Sequence, residues 1–216
     1  MRILLVIPDL RGGGAERVTI TLARGLAARG HNVSLLLFYR AIDYEVPSEI
    51  RLQFLTPPGR RLRFGWLDKR LLASSLKRWL ATEEPFELIV GNLPFASEVL
   101  YLAGIHDAWH YVHGTPSAEI DSFRRGHRIK ARRRLRRYRR IYDGKQLIAV
   151  SNGVALDLRE RIGLPRSRIH TIYNPHDFDE IRTLAGRTAP AVPKRPYVVH
   201  AGRFTKAKRH DVLLDG

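Results

Sequence analysis

Seventeen consecutive positions, Arg124 to Arg140 (RRGHRIKARRRLRRYRR), hold eleven Arg or Lys residues and no acid. Guanidinium groups at that density are suited to binding phosphate, because each offers a fixed fork of charged donors. The 216-residue chain has 38 Lys and Arg against 21 Asp and Glu, a formal charge of +17; without these eleven it would be +6. The excess is therefore a local device. A second candidate is Arg11-Gly12-Gly13-Gly14, which follows the apolar run MRILLVIPDL and precedes a helical pattern. Glycines at a helix N-terminus leave backbone N–H groups and a partial positive charge for a phosphate. The plain alternative is that they only permit a tight turn. Arg17 stands where a dinucleotide fingerprint needs its third glycine, Leu36-Leu37-Phe38-Tyr39 supply no acid at the end of the second strand, and no GxxxxGK[ST] string occurs. A third candidate is His113 in WHYVHGTP, closing a predicted strand, where an imidazole gives or takes a hydrogen bond near neutral pH. With no cysteine, thiol catalysis, thiolate metal sites and disulfides are excluded, which suits a reducing cytoplasm. No carboxylate pair stands out as acid and nucleophile.

The elements that must position these residues alternate. MRILLVIPDL reads as a strand, and Ala15, Val18, Leu22 and Leu26 recur at helical spacing up to Gly30. NVSLLLF is apolar enough for a strand buried on both faces, and Ile50–Leu55 is extended before Pro57-Pro58-Gly59. A helix over 66–81, a strand over 87–90 ending in Gly91-Asn92, and a helix over 95–103 follow. Then come a strand over 109–113, the arginine-rich helix, a strand over 146–150 ending in Ser151, a helix over 154–162 and a strand over 168–173. The order predicts an α/β fold, a Rossmann-like parallel sheet flanked by helices, whose ligands meet the C-terminal ends of the strands. Asn92 and Ser151, at the ends of neighbouring strands, are expected to line the same cleft more weakly. A short helix over 179–185 leads to RTAPAVPKRP, a linker composition, and Tyr197–Ala201 reads as a fresh strand before HDVLLDG starts a helix. The expected organisation is a domain over 1–180, a helix and linker over 181–196, and at 197–216 the opening of a truncated second Rossmann-like domain. No run reaches the ~18 apolar residues of a membrane-spanning helix, and the N-terminus lacks a cleavage signal.

Three stretches, in order along the chain, resemble one family. Gly13-Gly14-Ala15-Glu16-Arg17 after the first strand is similar to the opening of retaining GT-B glycosyltransferases of family 4, also called group 1. VSNGV followed by IYNPHDFD resembles the family's passage to its second domain, with Pro175-His176 in place of Gly-Val. YVVHAGRFTKAKRHDVLLDG resembles the opening of that second domain, placing Gly202, Arg203 and Lys208 on its motif. The resemblance implies transfer of a sugar from a nucleotide-sugar co-substrate, UDP- or GDP-linked, to a glycan or lipid-linked acceptor with retention, in cell-surface polysaccharide or lipopolysaccharide biosynthesis. It implies that Gly13 and Gly14 approach the donor diphosphate or the acceptor, that Arg203 and Lys208 neutralise the leaving diphosphate, and that His113 acts catalytically near the donor sugar. It implies neither cofactor nor metal. Its later Glu-x7-Glu segment would fall past Gly216, so these residues alone are expected to be inactive. Specificity is expected in loops such as Arg60 to Phe64 and Leu93 to Ala96.

On a helix, Ala131, Leu135, Tyr138 and Tyr142 make a narrow apolar stripe among arginines. Such a basic amphipathic helix, with Arg132, Arg133, Arg134, Arg136 and Arg137, suits peripheral attachment to an anionic membrane surface at the inner face of the cell membrane. Phe123, Tyr138 and Tyr142 then serve as interfacial aromatics. Two alternatives stand beside it: the stripe packs on the domain and the arginines are its solvated face, or the chain is a basic nucleic-acid-binding α/β protein. The nucleic-acid alternative explains the charge but finds no RRM or KH signature.

Overall fold

A computed structural model of the chain describes residues 1–59, 65–124, 126–187, 195–200, 202, 204 and 208–215. Seven parallel strands form one sheet in the order β3-β2-β1-β4-β5-β6-β7. They are β1 (Arg2–Ile7), β2 (Asn32–Leu37), β3 (Arg51–Phe54), β4 (Leu88–Asn92), β5 (Trp109–Val112), β6 (Gln146–Ala149) and β7 (Arg168–Thr171). Ile3 to Ile7 are all buried, as an unbroken apolar run must be in a parallel sheet covered on both sides. Strand order reverses between β1 and β4, which pair from Ile3 opposite Leu88 to Val6 opposite Gly91. Loops that leave these two strands diverge to opposite faces and open the crevice where such folds bind ligands.

Helix α1 (Gly14–Ala27) packs Val18, Ile20 and Ala23 on the face of Ile3, Leu5 and Ile7. The opposite face carries α2 (Trp66–Leu80) and α3 (Leu93–Leu102), set against Leu4, Val6, Leu36 and Phe38. The arginine run is not one helix. Arg124 ends α4 (Pro116–Arg124), and α5 (Arg128–Tyr142) starts after a break containing Gly126. Ala131, Tyr138, Ile141 and Tyr142 of α5 are buried with Val112, Leu147 and Ala149, so the apolar stripe packs on the domain and Tyr138 and Tyr142 are not interfacial anchors. Helix α6 (Asn152–Leu156) continues as a π-helical turn over Asp157–Ile162 and stops at Gly163, whose φ of 73° is easy only for glycine. The Arg139 guanidinium donates to the Ile162 carbonyl at 2.7 Å and satisfies that end.

Residues 1–176 form one compact unit and 177–216 a second. In the second, α7 (Phe178–Ala185) is capped by Asp177, whose carboxylate accepts from the Glu180 N–H at 2.9 Å, and α8 spans His210–Asp215. The expected strand at 197–201 does not form over its described residues, which are irregular. A strand must hydrogen-bond to a neighbour, and the described residues of this unit hold none. The loop expected at Leu93 to Ala96 is the first turn of α3, and Arg60 to Phe64 lie outside the described residues.

Candidate functional site

Strand β4 passes into α3 with no intervening residue, through Leu93 at φ 71°. A left-handed leucine costs about 1–3 kcal/mol, and strain of that kind concentrates where backbone must present a side chain. Here it turns Asn92 toward the end of β5. The Asn92 side chain is fully buried, its Nδ2 lies 3.5 Å from the Val90 carbonyl, and its Oδ1 lies 3.2 Å from His113 Nε2. With the amide in that orientation, His113 Nε2–H donates and Nδ1 is left as an acceptor. Burial lowers the His113 pKa to about 4, so the ring is neutral at pH 7.

Tyr111, two residues earlier on the same face of β5, packs its ring 4.4 Å from the imidazole, centroid to centroid. Its hydroxyl donates to Asn174 Oδ1 at 3.2 Å, and burial raises its pKa. Tyr111 and Asn174 were not singled out from the sequence. The signal available was the IYNPHDFD match, which places Asn174 beyond the end of β7 but does not say which strand it faces. Ser151 is not beside Asn92, because β5 lies between β4 and β6. Its hydroxyl caps α6, accepting from the Val154 N–H at 3.2 Å.

The glycine turn after β1 is ringed by carboxylates. Asp43 Oδ2 accepts from the Gly12 N–H at 2.9 Å, and Asp9, buried, holds Arg11 through its N–H at 3.1 Å and its guanidinium at 2.8 Å. The Glu16 carboxylate lies so close to Gly13 that a Cβ there would clash with its Oε2. A negative group thus already occupies the approach to the N-terminus of α1. Gly14 faces open space.

Helix α5 sorts its cations in two. Arg134 pairs with Glu119 at 3.1 Å and lies over the Phe123 ring, with 5.9 Å from Cζ to centroid. Arg137 Nε lies 2.7 Å from Glu98, and its Nη2 donates to the Pro94 carbonyl at 3.3 Å. Arg140 meets the other Glu98 oxygen at 3.0 Å, and Lys69 of α2 donates to Glu98 at 2.7 Å. Burial opposes the charge on Glu98, but the Lys69 hydrogen bond and the Arg137 and Arg140 cations overcome it and hold the carboxyl below the usual carboxylate range. Arg134 and Arg137, expected at a membrane, are therefore half-buried and turned inward. Arg132, Arg133 and Arg136 are exposed, as is Ile129 at 75%.

Lys208 is exposed in the second unit, and Arg203 lies outside the described residues. Among the described residues no group of three or more His, Asp or Glu side chains is placed to hold a metal ion, and no helix is long and apolar enough to cross a membrane.

Comparison with known proteins bears on the family and the fold. The sequence model of Glycosyltransferase Family 4 matches residues 12–180, from the glycine turn into the first turn of α7. The chain belongs to that family. A family relative from Burkholderia thailandensis, described as a probable transglycosylase, is 29% identical over 175 residues, which are 77% of this chain and 42% of the relative. Sucrose-phosphate synthase from Thermosynechococcus elongatus superposes with a TM-score of 0.63 at 16% identity, covering 80% of this chain and 47% of that one. WaaG, a glycosyltransferase involved in lipopolysaccharide biosynthesis, gives 0.55 at 15% identity over 77% and 44%. Arabidopsis thaliana UGT89C1, solved with UDP-L-rhamnose, gives 0.54 at 14% identity over 88% and 55%. The fold is the Rossmann-like domain of GT-B glycosyltransferases. The chain spans about half the length of the proteins it matches.

Proposed function

We propose that this chain is the acceptor-side part of a retaining glycosyltransferase that moves a sugar from a UDP- or GDP-linked donor to a glycan or lipid-linked acceptor in cell-surface polysaccharide or lipopolysaccharide assembly. The observation that carries the reading is the Asn92–His113 pair, held at the C-terminal rim beside the β1–β4 crevice in a chain matched by the family model. His113, neutral and with Nε2–H committed to Asn92, accepts a hydrogen bond at Nδ1 from a sugar hydroxyl and orients the donor sugar. Fixed dipoles of this kind act without reorganising during the reaction. Arg203 and Lys208 take the charge that develops on the leaving diphosphate. Because Asp9, Glu16 and Asp43 ring the turn at Gly13 and Gly14, a diphosphate approaches that backbone only when cations from outside the turn offset these acids, and free pyrophosphate alone does not bind there; no cofactor or metal is assigned.

The acceptor is met at an anionic membrane surface on the cytoplasmic side. Arg132, Arg133 and Arg136 support this, each worth roughly 1 kcal/mol near such a surface. Helix α2, tied to α5 through Glu98, adds Trp66, Leu67 and Leu71, exposed at 58–68%, among Arg70, Lys77 and Arg78. Nucleic acid is not assigned as a partner.

The test is release of UDP or GDP from a panel of nucleotide sugars by the protein that carries this chain, with glycan and lipid-linked acceptors. Turnover that falls about 100-fold or more in His113→Ala is expected for a positioned polar group in the reaction. Turnover unchanged in that variant would remove His113 from the site, and no turnover with any nucleotide sugar would remove the reading.

A further inference from the structure

Between α4 and α5 lies an open cleft of about 240 Å³, lined by Phe123, Lys130, Arg133, Arg134 and Arg137. On a helix, positions 130, 133, 134 and 137 follow the i, i+3, i+4, i+7 spacing of one face, so the four cations form a single strip along one wall. Arg132 and Arg136 lie on a different face of α5. Two of the four are fixed from behind: Arg134 by Glu119 and the Phe123 ring, Arg137 by Glu98 and the Pro94 carbonyl. Glu98 is shared by three cations, Lys69, Arg137 and Arg140, and so leaves net positive charge beside the cleft, whereas Glu119, which also accepts from the neutral Tyr138 hydroxyl, pairs Arg134 one to one. Lys130 and Arg133 are exposed and have no carboxylate partner among the described residues. Two anchored guanidiniums, two free cations and an aromatic wall make a preorganised anion site.

Its position relates it to the rim. Arg137 holds Pro94, two residues after Asn92, which bonds His113, and α4 starts at Pro116, three residues after His113. The start of α4 is itself fixed by buried Asp157, which accepts from the Ser117 N–H at 3.1 Å and from its hydroxyl.

We propose that this cleft is a subsite for a phosphate or diphosphate group carried by the acceptor, an assignment that rests on the glycosyl-transfer reading only for the word acceptor. The phosphate arrives either on a lipid or on a soluble molecule, and both present the same oxygens to the four cations.

Calorimetric titration of the 216-residue chain with inorganic pyrophosphate tests it through two double variants of equal charge change. Lys130→Gln/Arg133→Gln is expected to weaken saturable binding at least tenfold, and Arg132→Gln/Arg136→Gln less than threefold. Equal weakening in the two pairs, or no saturable binding, overturns the subsite and reduces α5 to a diffuse charged surface. Vesicles of phosphatidylcholine containing phosphatidic acid distinguish the sources. Vesicle binding lost with the first pair beyond the loss with the second identifies a lipid phosphate; equal vesicle loss, with pyrophosphate binding still confined to the first pair, identifies a soluble one. Since pyrophosphate binding is read without turnover, failure of the subsite and failure of the glycosyltransferase reading are separate results.

Discussion

Two regions of this domain have sequences that invite an anion, and the fold treats them oppositely. The glycine turn after β1 has the backbone of a phosphate site but is fenced by Asp9, Glu16 and Asp43. The α4–α5 cleft has no glycine loop, yet it collects four cations whose acids serve to hold guanidiniums in place. Backbone shape alone therefore does not make an anion site. What decides is the sign of the side chains that reach it.

The largest effect should come from removing the acid that anchors the cleft. Glu98 is buried under Lys69, Arg137 and Arg140, and Glu98→Gln leaves these cations without a counter-charge, at a cost of roughly 3 kcal/mol in urea denaturation. Because the folded-state pKa of Glu98 is depressed, its contribution is present above the ordinary carboxylate pKa and is lost as pH falls through the depressed value.

Next in size is the effect of pH on two buried imidazoles. His110, like His113, has its pKa lowered to about 4, in its case by burial and then by Lys145. The unfolded chain binds these protons near pH 6.5 while the folded chain refuses them until about 4. Stability should therefore be flat in this respect above 6.5 and decline as pH falls from 6.5 toward 4. NMR titration of the imidazoles checks it: neither ring should titrate between pH 5.5 and 8.

The smallest effect concerns the fenced turn. Glu16→Gln should raise the affinity of the α1 N-terminus for pyrophosphate only a few-fold at low salt, about 0.3–1 kcal/mol, with Asp9 and Asp43 still in place. A gain as large as the loss in Lys130→Gln/Arg133→Gln would erase the distinction between the two regions.

Much of this was legible in the chain. The β1–α1 unit reads directly, because five successive apolar residues can only be buried on both faces and a helical stripe follows the glycines. His113 and Asn92 are each visible as polar residues closing strands. That they touch is not visible, since strand order is a tertiary fact and β5, not β6, turned out to adjoin β4. The arginine run hid more than it showed. Its charges read as one solvent-facing helix, whereas a break at Gly126 divides it, α4 begins unannounced at Pro116, and Arg134, Arg137 and Arg139 bond to partners 15 to 43 residues distant in sequence. Composition counts cations but cannot say which face an acid from another helix.

The most direct measurement is NMR mapping of pyrophosphate on the 216-residue chain. Backbone and side-chain signals of Phe123, Lys130, Arg133, Arg134 and Arg137 should shift in a saturable manner, while the Gly12, Gly13 and Gly14 amides stay where they are. Shifts at the three glycines before any at α5 would contradict the account.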